Sequence, residues 1–259
     1  MQRAAAASPA ELPEEARSLG PWKKTYEANP KSWRPILFIG VAILIVGVAI
    51  GVAGVLLAPA EHRMSAIGMG SVFALGSVAL ILAALAQRKL RVHLCEGGFA
   101  REFGGQRRAY RWEEIQSTRE FEIPSSQGNK HFLKMKDGRG LVLSTEVGDV
   151  DELARAIESH VSAHRGPEIR SAVAAGEVVE FHALRVGRDG LGYRPALGGW
   201  RTVPWPEIRR VDIRRAAHRP GNLLVVSGQD GKPLATGDMG LTPNVKLLIE
   251  QIKAHADLG

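Results

Sequence analysis

Cysteine is nearly absent: Cys95 stands alone in 259 residues, so no intrachain disulfide can form, and a reducing compartment needs none. A lone thiol becomes a nucleophile only beside a base; His93 lies two residues away on one strand face, but the alternation in "RVHLC" reads more simply as an ordinary strand. Local signatures of catalysis are missing too. The chain has no Gly-x-Ser-x-Gly, no P-loop and no His-Glu-x-x-His, and "GRDGLG" has its glycines misplaced for a dinucleotide fingerprint. His160 and His164 stand four apart on one helix face without a third ligand. The expectation is therefore a protein that is not an enzyme, with no catalytic residue, metal or cofactor. Nucleic acid is disfavoured as well: the net charge of +7 divides evenly, +2 over residues 1–87, +2 over 88–165 and +3 over 166–259, and no RNP, helix-turn-helix or zinc-finger pattern occurs.

Charge itself is missing from two long stretches, Pro35 to Ala60 and Met64 to Ala86. Each reaches the roughly 20 residues that an α-helix needs to cross a hydrocarbon core. The spacing predicts transmembrane helices over 35–60 and 64–87, joined by the short loop "EHR". Ala58-Pro59-Ala60 resembles a signal cleavage site, but the run is too long and too far from the N-terminus for a signal peptide. Arg17, Lys23, Lys24, Lys31 and Arg34 precede the first run, and Arg88, Lys89 and Arg91 follow the second. The positive-inside rule then places both termini in the cytoplasm, in a two-span protein of the cytoplasmic (inner) membrane. Trp22, Tyr26 and Trp33 make 21–34 read as a basic, aromatic interface segment, and 1–20, rich in Ala, Pro and Glu, reads as a disordered tail.

Beyond the apolar runs the chain repeats itself. "RWEEIQSTREFEI" returns as "PWPEIRRVDIRR", with Trp112 on Trp205 and Ile115 on Ile208, 93 residues apart, and Asp137-Gly138 falls on Asp230-Gly231 without a gap. "DELARAIESHV" falls on "VKLLIEQIKAH" after a short insertion. Copies of this length mean tandem domains, over 90–164 and 177–257 with a linker at 165–176, and not a solenoid. Short period-2 runs separated by turn residues fill each copy: "RVHLC", "FAREF", "RRAYRW", "QSTREFEI", "KHFLKMK" and "GLVLST" in the first, "EVVEFHALRV" through "KPLAT" in the second. Each copy then changes to helical period. Leu153, Ala154, Ile157 and Val161 form one stripe behind a capping pair of Asp149 and Glu152; Val245, Leu248, Ile249 and Ile252 form the other, with Thr242 as N-cap and Pro243 at the first turn.

The spaced "WEEI" and "WPEI", the "KDG" and "QDG" hairpins and the closing helices resemble bacterial pleckstrin-homology-like domains, and membrane proteins that join such domains to a transmembrane hairpin. The resemblance implies an α+β cytoplasmic region of two tandem units, each of about seven antiparallel strands closed by a C-terminal helix, used for binding. It implies no inositide specificity, because "CEGG" and "GRDG" lack the Lys-rich loop of the phosphoinositide-binding members. Trp112 and Trp205 are expected to anchor the turn after the third strand, with Ile115 and Ile208 entering the core of the next.

Residues 185–219 carry nine arginines against three acids. Alternation in "RRVDIRR" sends Val211 and Ile213 inward and Arg210 and Arg214 outward. Arg209, Arg210, Arg214, Arg215 and Arg219 are therefore the candidate surface for a partner or for anionic lipid. Gly47 and Gly51, with Gly70, Ala74 and Ser77, let the two apolar helices pack on each other or support a homodimer. The reading at this stage is a membrane-anchored, non-enzymatic scaffold that engages a cytoplasmic protein; the alternative is a sensor of anionic lipid working through the arginines.

Overall fold

A computed structural model describes residues 14–57, 59–121, 129–195, 197–217 and 221–256. The chain opens with a single helical turn, α1 (Glu14–Arg17), and a strand, β1 (Trp22–Glu27), before two long helices, α2 (Pro30–Leu57) and α3 (Ala60–Arg88). Pro30 suits the first helical position, where its missing N–H has no intrahelical acceptor. At 1.5 Å per residue each helix is about 42 Å long, enough to cross a hydrocarbon core of about 30 Å. Their large apolar side chains face outward: Phe38 is 72% and Leu57 82% exposed. Only 11% and 17% of the two most apolar windows are buried, so neither is the core helix of a soluble domain. The expected loop "EHR" is instead the start of α3, because the chain reverses at Pro59.

Small residues at seven-residue spacing hold the helices together. Gly40, Gly47 and Gly54 are the buried residues of α2; Gly70, Ser77 and Ala84 are among those of α3. A heptad of small side chains keeps one seam facing the partner along the pair and lets the backbones approach. A carbon added at Gly54 would sit 2.2 Å from the Ala66 Cβ, and one at Gly47 would sit 2.8 Å from the Phe73 Cβ.

Four antiparallel sheets make up the rest, in the order four strands, three strands, four strands, three strands. The first joins β1 to β2 (Arg91–Cys95), β3 (Gly98–Phe103) and β4 (Gln106–Arg111); the second contains β5 (Ile115–Phe121), β6 (Lys130–Met135) and β7 (Gly140–Leu143). Helix α4 (Val150–Ala174) follows. The third sheet contains β8 (Val179–Phe181), β9 (Leu184–Val186), β10 (Gly190–Tyr193) and β11 (Arg201–Pro204); the fourth contains β12 (Arg210–Arg215), β13 (Asn222–Ser227) and β14 (Pro233–Asp238), and α5 (Val245–His255) closes the chain. In the second copy β8 and β9 meet through His182 and Ala183, with His182 at φ 62°. In the first copy the same place, between β1 and β2, holds residues 28–90 and both apolar helices.

That placement adds structure to two segments read as an interface and a tail. Within 21–34, residues 22–27 form strand β1 and 30–34 open α2: Trp22 pairs with Cys95 and Glu27 with Arg91, Tyr26 is buried, and the Trp22 Nε1–H donates to the Thr25 hydroxyl at 3.0 Å. Nor is 14–20 a free tail, since Ala16 and Leu19 pack with Cys95 and Ala100 in a small core. Residues 1–13 of the expected tail lie outside the described residues.

The expected linker 165–176 is also mostly helix. α4 continues through Pro167 to Ala174, and its Ile169 and Val173 enter the core of the second copy beside Phe181, Leu191, Leu224 and the α5 residues Leu248 and Ile252. Burial of that second stripe outweighs the backbone bond that Pro167 cannot make. Asn244, not Thr242, is the N-cap of α5; the Thr242 hydroxyl donates to the Asp238 carbonyl at 2.6 Å. Asn244 and Asp149, each directly before its helix, both hold φ 51°, a left-handed conformation that short polar side chains tolerate. The chain forms two compact units, Met1–Ala109 with Glu146–Asp149, and Tyr110–Thr145 with Val150–Gly259, a division that does not follow the repeat boundary.

The helix seam gives a direct test. Gly47→Val or Gly54→Val is expected to cost about 1–3 kcal/mol by overpacking, seen as a lower unfolding midpoint of the full chain in detergent. Gly51→Ala, whose added carbon meets nothing within 4 Å, leaves the midpoint unchanged.

Candidate functional site

Trp112 and Trp205 each open a one-turn 3-10 helix, Trp112–Glu114 and Trp205–Glu207, that leads from a four-stranded sheet into a three-stranded one. Both are 7% exposed, and Ile115 and Ile208 are fully buried. The Trp205 indole N–H lies 3.2 Å from the Gly187 carbonyl and 3.0 Å from that of Arg188, tying down the β9–β10 turn. A histidine of each closing helix stacks on each tryptophan. His160 lies 4.6 Å from Trp112, centroid to centroid, with ring planes 3° apart; His255 lies 5.1 Å from Trp205 at 27°. His255 Nδ1–H donates to the Gln251 carbonyl at 2.8 Å, which fixes its ring. Each is the eleventh residue from the start of its helix, but a histidine in a helix carries no local signal of its ring partner. His160, expected as a weak metal-site candidate with His164, is a packing ring.

Cys95 is buried, with its Sγ 3.5 Å from the Ala16 carbonyl, and burial pushes the thiol pKa up. His93 is buried too, its Nδ1 2.9 Å from the Thr25 hydroxyl, and desolvation pulls its pKa below the ordinary 6.5. The pair is thus a protonated thiol and a neutral imidazole inside a sheet, a poor arrangement for thiolate chemistry.

Four of the five candidate arginines are described; Arg219 lies outside the described residues. Arg210 Nε donates to Asp212 Oδ1 at 2.7 Å and Arg214 Nη2 to Asp212 Oδ2 at 3.2 Å. The Arg210 hydrogen bond, then that of Arg214, holds the Asp212 carboxyl below the usual carboxylate range. With the Gln229 amide oxygen turned toward it, Arg209 donates from Nε at 3.2 Å and from Nη2 at 3.0 Å. Arg215 is exposed and has no acidic partner among the described residues. Val211 packs on the core as expected, but Ile213 is 55% exposed, because the second half of β12 leaves the core.

Ile213 instead joins a groove of about 370 Å³ beside α5, with Met239 and Ile249 as apolar lining and Lys246, Lys253 and Glu158 around them. Burial, then the charge of Glu120, raises the Glu158 pKa, opposed by His131 and Lys246. Thr118, Arg119 and Glu120 of β5 line the same groove.

β5 and β12 correspond in the repeat and are both edge strands, but their free sides differ. Asn244 covers that of β5: its N–H donates to the Thr118 carbonyl at 2.8 Å, its Oδ1 accepts from the Thr118 N–H at 2.9 Å, and its Nδ2 donates to the Gln116 carbonyl at 3.3 Å. Arg165 adds a bond to the same Gln116 carbonyl. Among the described residues, nothing but β13 pairs with the β12 backbone.

The fold and this surface define an α+β protein with two helices long and apolar enough to span a membrane, followed by four antiparallel sheets among the described residues and a C-terminal helix. Over residues 8–255 the chain matches the family of unknown function DUF6585, and it belongs to that family. No curated protein matches it.

Stacking across the repeat is measurable. In the full chain, Trp205→Leu and His255→Ala are expected to be coupled by about 1 kcal/mol in a double-mutant cycle of unfolding free energies. Additive losses would mean that the stack contributes nothing beyond area.

Proposed function

We propose that this protein is a membrane-anchored, non-enzymatic interaction protein whose site is the free edge of β12. The observation that carries the reading is the contrast between the two corresponding edges: β5 is closed by Asn244, while β12 is open beside a groove with the exposed Ile213 in it. An extended segment of a cytoplasmic partner would add a strand there by main-chain hydrogen bonds, with an apolar side chain against Ile213. Arg209, Arg210, Arg214 and Arg215, against the single acid Asp212 on the strand, select an acidic segment.

The pleckstrin-homology-like reading of each copy rests on the repeated order of four strands, three strands and a helix. Membrane spanning is supported by the outward-facing apolar side chains of α2 and α3, and cytoplasmic termini by the cations at their joined end. Sensing of anionic lipid by the same arginines is the weaker reading. It gives no role to the open edge of β12 or to the groove with the exposed Ile213 in it.

The test uses the full chain in nanodiscs of neutral lipid and a fluorescent synthetic peptide of alternating glutamate and valine. Saturable binding, weakened at least tenfold by Ile213→Asp and by Arg210→Glu/Arg214→Glu, is the expected result. Absence of peptide binding by a folded protein, with salt-sensitive recruitment of vesicles rich in phosphatidylglycerol lost in the arginine variant, would replace this reading with the lipid one.

A further inference from the structure

The joined end of the two apolar helices carries cations without counter-ions. Lys31 and Arg34 lie in the first turns of α2, and Arg88 and Lys89 lie at the end of α3. All four are exposed, and none has a carboxylate within ion-pair distance among the described residues. Arg91 is different, since Glu27 lies 3.9 Å away. Trp33 organises the group: the Arg34 guanidinium carbon is 5.6 Å and the Arg88 carbon 5.7 Å from the centroid of its indole. A cation held near an aromatic ring loses freedom but keeps its N–H donors at the ring's margin. The mounting is short on both sides, with two residues between β1 and α2 and two between α3 and β2. Ala28 bridges to Val147, and the Asn29 N–H donates to the Glu146 carbonyl at 2.8 Å, so the chain entering α2 is tied to its neighbours.

Charges around a surface helix end are ordinarily solvated. These stand directly against the apolar runs of both helices, at the depth where lipid phosphates lie if the helices span a bilayer. From the two guanidiniums on one indole, with Lys31 and Lys89 beside them, we infer that the base of the helix pair is a binding site for the phosphate of an anionic phospholipid. The proposal rests on the membrane-spanning reading above and is separate from the β12 edge. Guanidinium forks suit phosphate oxygens bidentately, and Trp33 suits the boundary between headgroup and chain. Such a site fixes the height and rotation of the first sheet against the leaflet, because only two residues separate it from each helix.

The experiment is native mass spectrometry of the purified full chain in detergent, titrated separately with phosphatidylglycerol and phosphatidylcholine, with soluble glycerol 3-phosphate as competitor. Purified protein in micelles removes any effect of the substitutions on insertion topology. Expected is retention of one or two phosphatidylglycerol molecules at least tenfold in preference to phosphatidylcholine, lost in Arg34→Gln/Arg88→Gln and kept in Arg210→Glu/Arg214→Glu. Arg34→Lys/Arg88→Lys, which keeps the charge but not the fork, gives an intermediate preference. Equal retention of the two lipids, or an unchanged preference in the glutamine variant, overturns the site. Displacement by millimolar glycerol 3-phosphate would show a free-phosphate site and overturns the lipid assignment. Extraction of the native protein from membranes by alkaline carbonate would instead sink the spanning reading itself.

Discussion

The pairing of β1 with β2 across two apolar helices is the constraint on which the first half of the molecule depends. Glu27 is opposite Arg91, Tyr26 opposite Val92 and Thr25 opposite His93, so both ends of the helix pair emerge from adjacent strands. Backbone bonds in that ladder hold the helix ends together at one end, and the glycine seam of Gly40, Gly47 and Gly54 holds the helices along their length. Each reinforces the other, since a close helix pair brings the strand ends into register. The second copy reaches the same ladder through His182 and Ala183 alone. A fragment begun after the helices lacks the strand that covers one side of β2.

Period was the most readable feature of the sequence. Twofold alternation located β2 to β7 and β10 to β14 to within a few residues, and the 93-residue repeat anticipated that Trp112 and Trp205 occupy like places. β1 was not legible, because a tryptophan, a tyrosine and two lysines just before an apolar helix have the composition of a membrane interface. Only its pairing with β2, a contact distant in sequence, makes it a strand. Gly166-Pro167 carried the local signal of a break, yet Ile169 and Val173 have a core to fill and the helix continues.

At the candidate site the arginines were visible and their engagement was not. Asp212 sits between Arg210 and Arg214 in sequence and neutralises part of both. Ile213 alternates as an inward residue, but the strand leaves the core after Asp212, so the side chain faces a groove. The decisive contrast between β5 and β12 lies in Asn244, a residue 126 positions from the Thr118 it covers. A single residue in left-handed conformation thus closes one edge and leaves its counterpart open.

The measurement that most directly tests the inserted helix pair is oxidative cross-linking in native membranes of Glu27→Cys/Arg91→Cys in a Cys95→Ser background. Positions 27 and 91 are paired across the ladder, so the account predicts rapid, complete intrachain disulfide formation, and none when Lys23→Cys replaces Glu27→Cys. Failure of the 27–91 pair to close in a folded chain would contradict it, and would remove β1 from the sheet.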